Sequence, residues 1–572
     1  MRLAPLVVLV AVVGCGDDSN QAPEDAGVDV GQPDAFVDLT GPYFAPDHIV
    51  EVSITMAPSD WNALRMQTRT FGSIIEGDCL AQPIPSPFTE FSASITIDGT
   101  TFPQVSIRKK GFFGSLDMNK PSLKVDLDDL VADTTYLGLE KLTFNNARQD
   151  SSLVRQCLAY KIFTDAGIVA PRCNFAHVRV NGADLGIYVN VESIDRHFAR
   201  RRYVQGEGGL FEGTLSDFRT SWMNTFDIKG KGDRSDLLPL VTVLETASDA
   251  NLVTALAPHL DVDKFITYWA MEMVTNHWDG YANDRNNFFV YKDPSTGKLD
   301  FIPWGVDATF QPNATFGGIG NTTGPIAIAA AGLLTNRLWN NPPTKQMILD
   351  RQRVMLANVF NETKLLAEVA RMETLIGPIA DSVSGTGWRN GVTSVRNFIN
   401  QRRARLSAAL DAGPVWNQPL ADYPCLDVVA KVTGTFTATY GTLGATNPFG
   451  QGSGTFSIMI GGSTTTLTPV GATAGTDAAS GTSLIQIFGQ RGSDGHVFAV
   501  SISVPRNIFF PRGVDIGFFD SMGAVYEYNP TTDTTQQVGI MLGTMSLTQA
   551  SSQANAPVAG SFSSNVDVQG TP

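Results

Sequence analysis

The sequence contains few of the residues from which cysteine and histidine metal sites are built. Its 572 residues include five cysteines and six histidines, and no CxxC pair is present. A structural zinc site is therefore not expected. Three catalytic signatures are also missing, namely the P-loop pattern GxxxxGK[ST], the nucleophile elbow GxSxG and the zinc-binding pattern HExxH. Their absence argues against a P-loop protein and against hydrolases of those two types.

Positive charge is also scarce. Lysine and arginine total 41 against 56 aspartate and glutamate residues, which gives a formal net charge of −15 at pH 7. This excess of acid argues against nucleic acid as a partner. Hydrophobic residues make up 43% of the chain, an ordinary value for a globular protein. After the N-terminal segment, no run approaches the roughly eighteen apolar residues of a spanning helix, so the rest is predicted to lie outside the membrane.

The N-terminal segment MRLAPLVVLVAVVGC is typical of a secretory signal, with one arginine and an apolar run from Leu6 to Val13. Its end, VVGC, resembles the bacterial lipobox, so we predict a signal peptide over residues 1–15 and a lipid anchor on Cys15 that holds the protein at the cell envelope. The alternative is a plain signal peptide that ends in cysteine. Residues 16–46 are rich in Asp, Gly and Pro and are predicted to be a disordered acidic linker.

The other four cysteines are even in number and belong to a chain predicted to enter an oxidising compartment. They are Cys79, Cys157, Cys173 and Cys425. Two disulfides are predicted, and the sequence leaves all three connectivities open.

The order of apolar patterns predicts two folded domains. Residues 47–412 begin with alternating strand patterns and continue with helical ones, which favours a two-lobed α+β domain. A linker is predicted over residues 413–428. Residues 429–572 are rich in Gly, Ser and Thr and contain short strand patterns between turns, which predicts an all-β, sandwich-like domain.

A basic segment lies among the first strands, in VSIRKKGFFGSLDMNKPSLKVDL. Small residues separate its cations, so backbone amides could approach the oxygens of a phosphate. The alternative is a solvated hairpin. The cations are Arg108, Lys109, Lys110, Lys120 and Lys124.

An acidic and amide-rich segment, NHWDGYANDRNNFFVY, is followed by a separate aspartate in FIPWGVDATF. Hard divalent cations prefer oxygen ligands, and magnesium commonly uses one or two carboxylates together with waters and phosphates. The predicted loop and strand end could converge on one ion. The alternative is ordinary turn chemistry, in which Asp and Asn are favoured. The residues concerned are Asp279, Asn283, Asp284, Asn286, Asn287 and Asp307.

Together these motifs resemble the spore coat protein H (CotH) kinase family. The matching segments include IRKKG with KPSLKVDL, LTFNNARQDSSLVR, VRVNGADLGIYVNVESIDRHF, GGLFEG and the segment from NHWDGY to PWGVD, over roughly residues 47–410. The resemblance implies an atypical protein-kinase-like domain that holds ATP between two lobes and uses Mg²⁺ or Mn²⁺. It also implies phosphate transfer to Ser or Thr of a protein substrate.

The resemblance also implies roles for particular residues. Arg108 and Lys120 would face the phosphates, with Lys124 as the competing choice, and Glu192 would lie at the nucleotide cleft. Sequence position alone would equally allow Glu192 as a carboxylate near a helix N-terminus. Asp279 would be the catalytic aspartate, with Asp284 as its rival. The metal ligands would be Asn287 and Asp307.

One position departs from the family pattern. Members often carry PWDxD where this chain has PWGVD, so Gly305 replaces the first aspartate while Asp307 retains the second. We expect an active enzyme on the strength of Asp307. The alternative is a non-catalytic surface protein that binds a ligand or has an envelope structural role.

Overall fold

The structure is a computed structural model that describes residues 36–311, 327–420, 424–517 and 521–570. The chain from Asp38 to Pro572 forms one compact unit. Cys15, the predicted signal peptide and most of the predicted acidic linker lie outside the described residues. Within the described ranges, no helix combines the length and apolarity required to cross a membrane.

Seven strands near the N-terminus close into a barrel in the order β1-β2-β3-β4-β5-β7-β6. Alternate residues of β1, such as Val50, Val52 and Ile54, are buried in its core. Two of its turns use a predicted pair in the left-handed conformation, Asp98-Gly99 and Asn181-Gly182. The strands are β1 Ile49–Thr55, β2 Phe91–Ile97, β3 Thr100–Lys110, β4 Ser122–Asp126, β5 Lys141–Asn145, β6 Cys173–Val180 and β7 Ala183–Val191.

The sheet alternation of β3 divides its basic residues between two faces. Lys109 is buried, and its Nζ donates to the carbonyl oxygens of Arg65 at 2.8 Å and Gln67 at 2.6 Å. Arg108 and Lys110 therefore point to the opposite face. This arrangement anchors the segment that follows the first helix against one face of β3 and leaves two cations on the other.

A second, four-stranded sheet has the order β11-β10-β8-β9. Its strands are β8 Gly209–Gly213, β9 Asp227–Ile228, β10 Phe288–Lys292 and β11 Leu299–Pro303. All residues of β11 and most of β10 are buried, as expected for strands covered on both faces. Together with the barrel and the helices, this sheet confirms the predicted mixture of helix and sheet.

Most of the long helices follow the barrel in the chain. The central one, α7, is buried on nearly every side, and its apolar sequence suits such a position. It ends at Thr275, and the next residue, Asn276, caps it with a φ of +56° at the start of the acidic segment. The helices are α1 Pro58–Met66, α2 Gly72–Ile75, α3 Arg155–Asp165, α4 Arg196–Arg202, α5 Leu238–Thr246, α6 Leu252–Leu256, α7 Val262–Thr275, α8 Tyr281–Asp284, α9 Leu333–Trp339, α10 Pro342–Asn358, α11 Glu362–Ser384 and α12 Trp388–Asp411.

The C-terminal region is all β, as predicted. Its described strands form one continuous hydrogen-bonded sheet, and β12 and β13 also contact β15, so the sheet curls over a shared core. The strands are β12 Leu426–Thr439, β13 Gly452–Ile460, β14 Ser463–Leu467, β15 Val470–Thr476, β16 Ser483–Gln490, β17 Val497–Val504, β18 Arg512–Ile516, β19 Met522–Asn529, β20 Thr534–Gln549 and β21 Pro557–Gln569.

The structure selects one of the three disulfide connectivities. The pairs are Cys79–Cys425 and Cys157–Cys173. The first pair joins the segment after α2 to the start of the C-terminal sheet, where Gly77 N also donates to Leu426 O at 2.8 Å. A loop near the N-terminus is thus fixed to a strand more than three hundred residues later.

Candidate functional site

A cavity of about 460 Å³ lies between the barrel and the second sheet. Strands β3 and β4 supply one wall, and β8 together with the segment from Trp278 to Phe289 supplies another. Its volume falls within the range of about 300–1,000 Å³ that is usual for small-molecule sites. Cationic residues lie on the first wall and acidic and amide residues on the second, so members of both predicted sets face one cavity.

The cationic wall comes from the paired strands β3 and β4, where Arg108 lies opposite Lys124. Burial lowers the pKa of Lys124, and the neighbouring charge of Arg108 lowers it further. Lys124 makes no hydrogen bond or ion pair with any described residue. Burial, followed by the charge of Lys124, lowers the pKa of Lys110 to about 8, although Asp307 acts in the opposite direction. Cations held close together in this way favour an anionic ligand.

Asp279 occupies the acidic wall and accepts hydrogen bonds from two amide side chains. Asn286 Nδ2 donates at 3.0 Å and Asn287 Nδ2 at 2.7 Å. Burial raises the pKa of Asp279 well above its usual range, and the charges of Asp284 and Asp307 raise it further. These aspartates retain some exposure to the cavity, but the surrounding protein removes much of their hydration.

The other two aspartates have similar environments. Burial raises the pKa of Asp284 to about 6 against the opposing charge of Arg285. Burial also raises the pKa of Asp307 to about 6, and Lys110 is among the cations that oppose the shift. Carboxylates that disfavour one another's charge would gain from a bound cation.

The donor set fits a magnesium-type ion. The side-chain Oδ1 of Asn286 is buried without a hydrogen-bond partner, so an oxygen donor remains unused beside the aspartates. Across the described residues, no group of three His, Cys, Asp or Glu side chains could hold a metal by itself. Magnesium seldom requires such a group, because waters and substrate phosphates complete its coordination. The residues therefore fit an ion held jointly by the protein and a phosphate ligand.

Two of the predicted site residues lie away from this cavity. Lys120 Nζ donates to Ile187 O at 2.6 Å and lies 4.9 Å from the centre of the Tyr188 ring. Glu192 is buried and bonded by two arginines, with Arg172 Nη2 at 2.8 Å and Arg201 Nε at 2.8 Å. Neither side chain lines the cavity, whereas Arg108, Lys124, Asp279, Asn287 and Asp307 all do.

The sequence of the kinase-like region matches a known protein family. The family model described as "CotH kinase protein" matches residues 107–406, which is more than half of the 572 residues. The chain belongs to the CotH kinase family. The family membership that the motifs suggested is thereby confirmed, and a kinase-like fold is supported.

Several curated CotH relatives are similar over part of their length. Inner spore coat protein H of Bacillus subtilis (strain 168) is 27% identical over 190 residues, which cover 31% of this chain and 51% of that protein. Invasin CotH7 of Rhizopus delemar is 25% identical over 247 residues, covering 40% of this chain and 41% of that protein. The chain thus spans about half or less of the length of these relatives.

Among solved structures, the chain is similar to the Helicobacter pylori proinflammatory kinase CtkA. The likeness covers 52% of this chain and 95% of that one, with 11% sequence identity and a TM-score of 0.25. At that score the likeness supports no conclusion about this chain.

The position that departs from the CotH pattern has a clear local environment. Gly305 has a φ of +50°, which favours glycine. A Cβ atom at this position would lie 2.5 Å from Oδ1 of Asn287. Because Asn287 also holds Asp279, its side chain uses the space that a side chain at position 305 would need. Asn287 therefore fills the space that the first aspartate of the CotH pattern would need at position 305.

Two further residues matter for this CotH site: Lys110 was predicted only as a member of the basic segment, and Glu272 was not predicted. Lys110 follows Arg108 by two positions on β3, so strand alternation could have placed it at the site. Its Nζ donates to Oδ1 of Asn145. Glu272, on α7, accepts from Tyr281 N at 2.9 Å and Ala282 N at 3.0 Å and so fixes the turn that follows Asp279. No pattern in the sequence singles out this buried glutamate.

Proposed function

We propose that the protein is a CotH kinase that transfers the γ-phosphoryl group of ATP to Ser or Thr of a protein. The observation that carries this proposal is that the cations of β3 and β4 and the aspartates of the acidic wall face one cavity. Phosphoryl transfer depends mainly on positioning and on neutralising the phosphate charge, and both walls are suited to that task.

In this proposal the cationic wall binds the phosphates. Lys110 and Lys124 point into the cavity from neighbouring strands, and Arg108 lies beside them. Arg108 is already paired with Glu90 at 2.9 Å, so the two lysines are the principal phosphate ligands. Lys120 and Glu192 take a different role here and stabilise the barrel through Ile187 O and the two arginines.

The acidic wall supplies the proton acceptor and the metal ligands. Asn287 and Asp307 would hold a magnesium or manganese ion, which would neutralise charge on the transferred group. Asp279 accepts the proton of the attacking hydroxyl as the new oxygen–phosphorus bond forms. The bond between the γ-phosphorus and the bridging oxygen breaks, and ADP leaves. Asp284 remains the alternative acceptor, because it lines the same cavity.

We also propose that the kinase-like region is two-lobed, with the barrel as one lobe and the second sheet with its helices as the other. We place the protein at the cell envelope, lipid-anchored through Cys15. The lipobox-like VVGC supports this location. The names of relatives, a spore coat protein and an invasin, are consistent with a location at a surface.

The test is phosphate transfer by the purified full-length protein, with γ-labelled ATP and Mg²⁺ or Mn²⁺ and dephosphorylated casein as acceptor. Labelling of casein or of the protein itself should fall at least about a hundredfold in Asp279→Asn and Asp307→Asn. Asp293→Asn is a matched control, because Asp293 lies in the turn between β10 and β11 and does not line the cavity. Equal labelling by all four proteins would refute the proposal.

A second candidate function is non-catalytic binding, which Gly305 favours because one carboxylate of the family pattern is missing. Nucleotide-dependent thermal stabilisation tests binding without requiring transfer. A ligand at about 100 times its dissociation constant stabilises the folded state by about 2.7 kcal/mol. Stabilisation by ATP and metal without any labelled product would support a nucleotide-binding pseudokinase. The absence of any shift would favour a surface protein with another ligand.

A further inference from the structure

A third wall of the cavity comes from a segment that precedes the matched CotH motifs in the chain. We call residues 69–88 the entry segment. The disulfide Cys79–Cys425 ties it to the C-terminal sheet, and Asn565 Nδ2 donates to Glu76 Oε2 at 2.8 Å. The entry segment is therefore a fixed wall. It contributes Arg69, Phe71, Pro83, Ile84, Ser86 and Phe88 to the cavity lining.

Arg69 carries a guanidinium group whose hydrogen-bonding capacity is unused. Its Nε and Nη1 are buried without a hydrogen-bond partner, and the side chain forms no ion pair with any described residue. Its Cζ lies 5.3 Å from the centre of the Phe112 ring and 6.0 Å from that of Phe88. Aromatic contacts hold the group in place but leave its N–H donors free. A half-buried guanidinium whose Nε and Nη1 are buried without an acceptor is costly, so this arrangement favours an anionic ligand.

Arg69 reaches the cavity from a different side than the phosphate-binding lysines. The chain leading to it is held by Lys109, which lies on the opposite face of β3 from Arg108 and Lys110. Lys110 and Lys124 line the cavity on that other face, where they are placed to meet a nucleotide. The aromatic residues around Arg69 add an apolar surface that phosphates do not require.

We infer that Arg69 is a specificity-determining residue that binds an acidic side chain close to the acceptor hydroxyl of the substrate protein. This inference rests on the proposed function and names the substrate class of the same site. A carboxylate can take two parallel hydrogen bonds from one guanidinium, which gives geometric selectivity as well as affinity. Phe71, Phe88 and Phe113 would contact an apolar neighbour of that acidic residue.

The test compares two pools of seven-residue peptides with a central serine. One pool carries Asp or Glu at a flanking position, and the matched pool carries Asn or Gln there. Binding is measured by fluorescence anisotropy, and phosphorylation is measured by KM and kcat. The wild-type protein should bind the acidic pool about tenfold or more tightly, and Arg69→Gln should lose this preference. Arg65→Gln is the matched control, because Arg65 donates to Met118 O and Asn62 Oδ1 and does not line the cavity.

The readouts separate this inference from the proposed function. If Arg69→Gln raises KM for the acidic peptides but leaves KM for ATP and kcat unchanged, the assignment holds. If it instead weakens ATP binding and leaves peptide selectivity intact, Arg69 binds the nucleotide and the inference is wrong. If no variant transfers phosphate but anisotropy still shows Arg69-dependent selectivity, the kinase proposal fails while the acidic subsite stands. Equal binding of both pools by the wild-type protein would overturn the subsite.

Discussion

Gly305 offers a direct test of how the site tolerates its missing aspartate. In Gly305→Ala, a β-carbon would lie 2.5 Å from Asn287 Oδ1, and the backbone would keep a φ of +50°. The left-handed conformation costs about 1–2 kcal/mol for a residue with a side chain. Displacing Asn287 should add about 1–3 kcal/mol, as in other overpacked sites. Because Asn287 holds Asp279 at 2.7 Å, the shift should also disturb the acidic wall.

Gly297→Ala is a control that separates the backbone cost from the steric cost of displacing Asn287. Gly297 has a φ of +72°, but an added Cβ would meet nothing within 4 Å. Gly297→Ala should therefore lose only the stability that the left-handed backbone costs. In urea denaturation, Gly305→Ala should be less stable than Gly297→Ala by about 1–3 kcal/mol. Gly305→Ala should also lose nucleotide-dependent stabilisation, which Gly297→Ala should keep. Equal stability losses in the two variants would refute the steric argument. If Gly305→Asp were more active than the wild-type protein, the Asn287 side chain would have to move aside without cost.

Three further predictions concern charge, pH and the disulfide. Lys110→Met should abolish the rise in melting temperature caused by ATP and metal, because it removes a cation that lines the cavity. Burial, followed by the charge of Glu76, raises the pKa of Asp567 to about 7 from about 3.9 in an unfolded chain. The folded state then binds more protons, so the melting temperature should fall from pH 5 to pH 8, and less so in Asp567→Asn. Replacing both Cys79 and Cys425 with serine should lower the free energy of unfolding by about 2–5 kcal/mol and weaken peptide binding.

Each of these predictions has a contradicting result. Lys120→Met should leave the nucleotide effect intact, so an equal loss in both lysine variants would indicate a general structural effect. An unchanged pH dependence in Asp567→Asn would remove Asp567 as its source. Undiminished peptide affinity in the double serine variant would show that the entry segment keeps its position without the disulfide.

Local features of the fold were predictable because they depend on short-range chemistry. The Asp98-Gly99 and Asn181-Gly182 turns follow from residues that adopt positive φ. The closure of the barrel was not predictable, because it depends on the parallel pairing of β1 with β6, which are separated by more than a hundred residues. The pairing of Cys79 with Cys425 is equally long-range, and the spacing of cysteines carries no information about it.

The site was predictable where a residue type by itself indicates the kind of ligand that it binds. Oxygen-rich side chains at Asp279, Asn287 and Asp307 indicated a cation, and the structure places all three at one cavity. Lys120 and Glu192 could not be placed from their type, because a lysine can bind a backbone carbonyl as well as a phosphate. A glutamate can likewise form ion pairs with neighbouring arginines instead of lining a cleft.

A crystal structure with Mn²⁺ and a non-hydrolysable ATP analogue would show whether nucleotide and metal meet in this cavity. Anomalous scattering would locate the manganese independently of the protein model used to phase the data. We expect manganese coordinated by Asn287 and Asp307 at about 2.0–2.3 Å, with the phosphates contacted by Lys110 and Lys124. Manganese and nucleotide bound outside this cavity, or no binding at millimolar concentrations, would contradict this expectation.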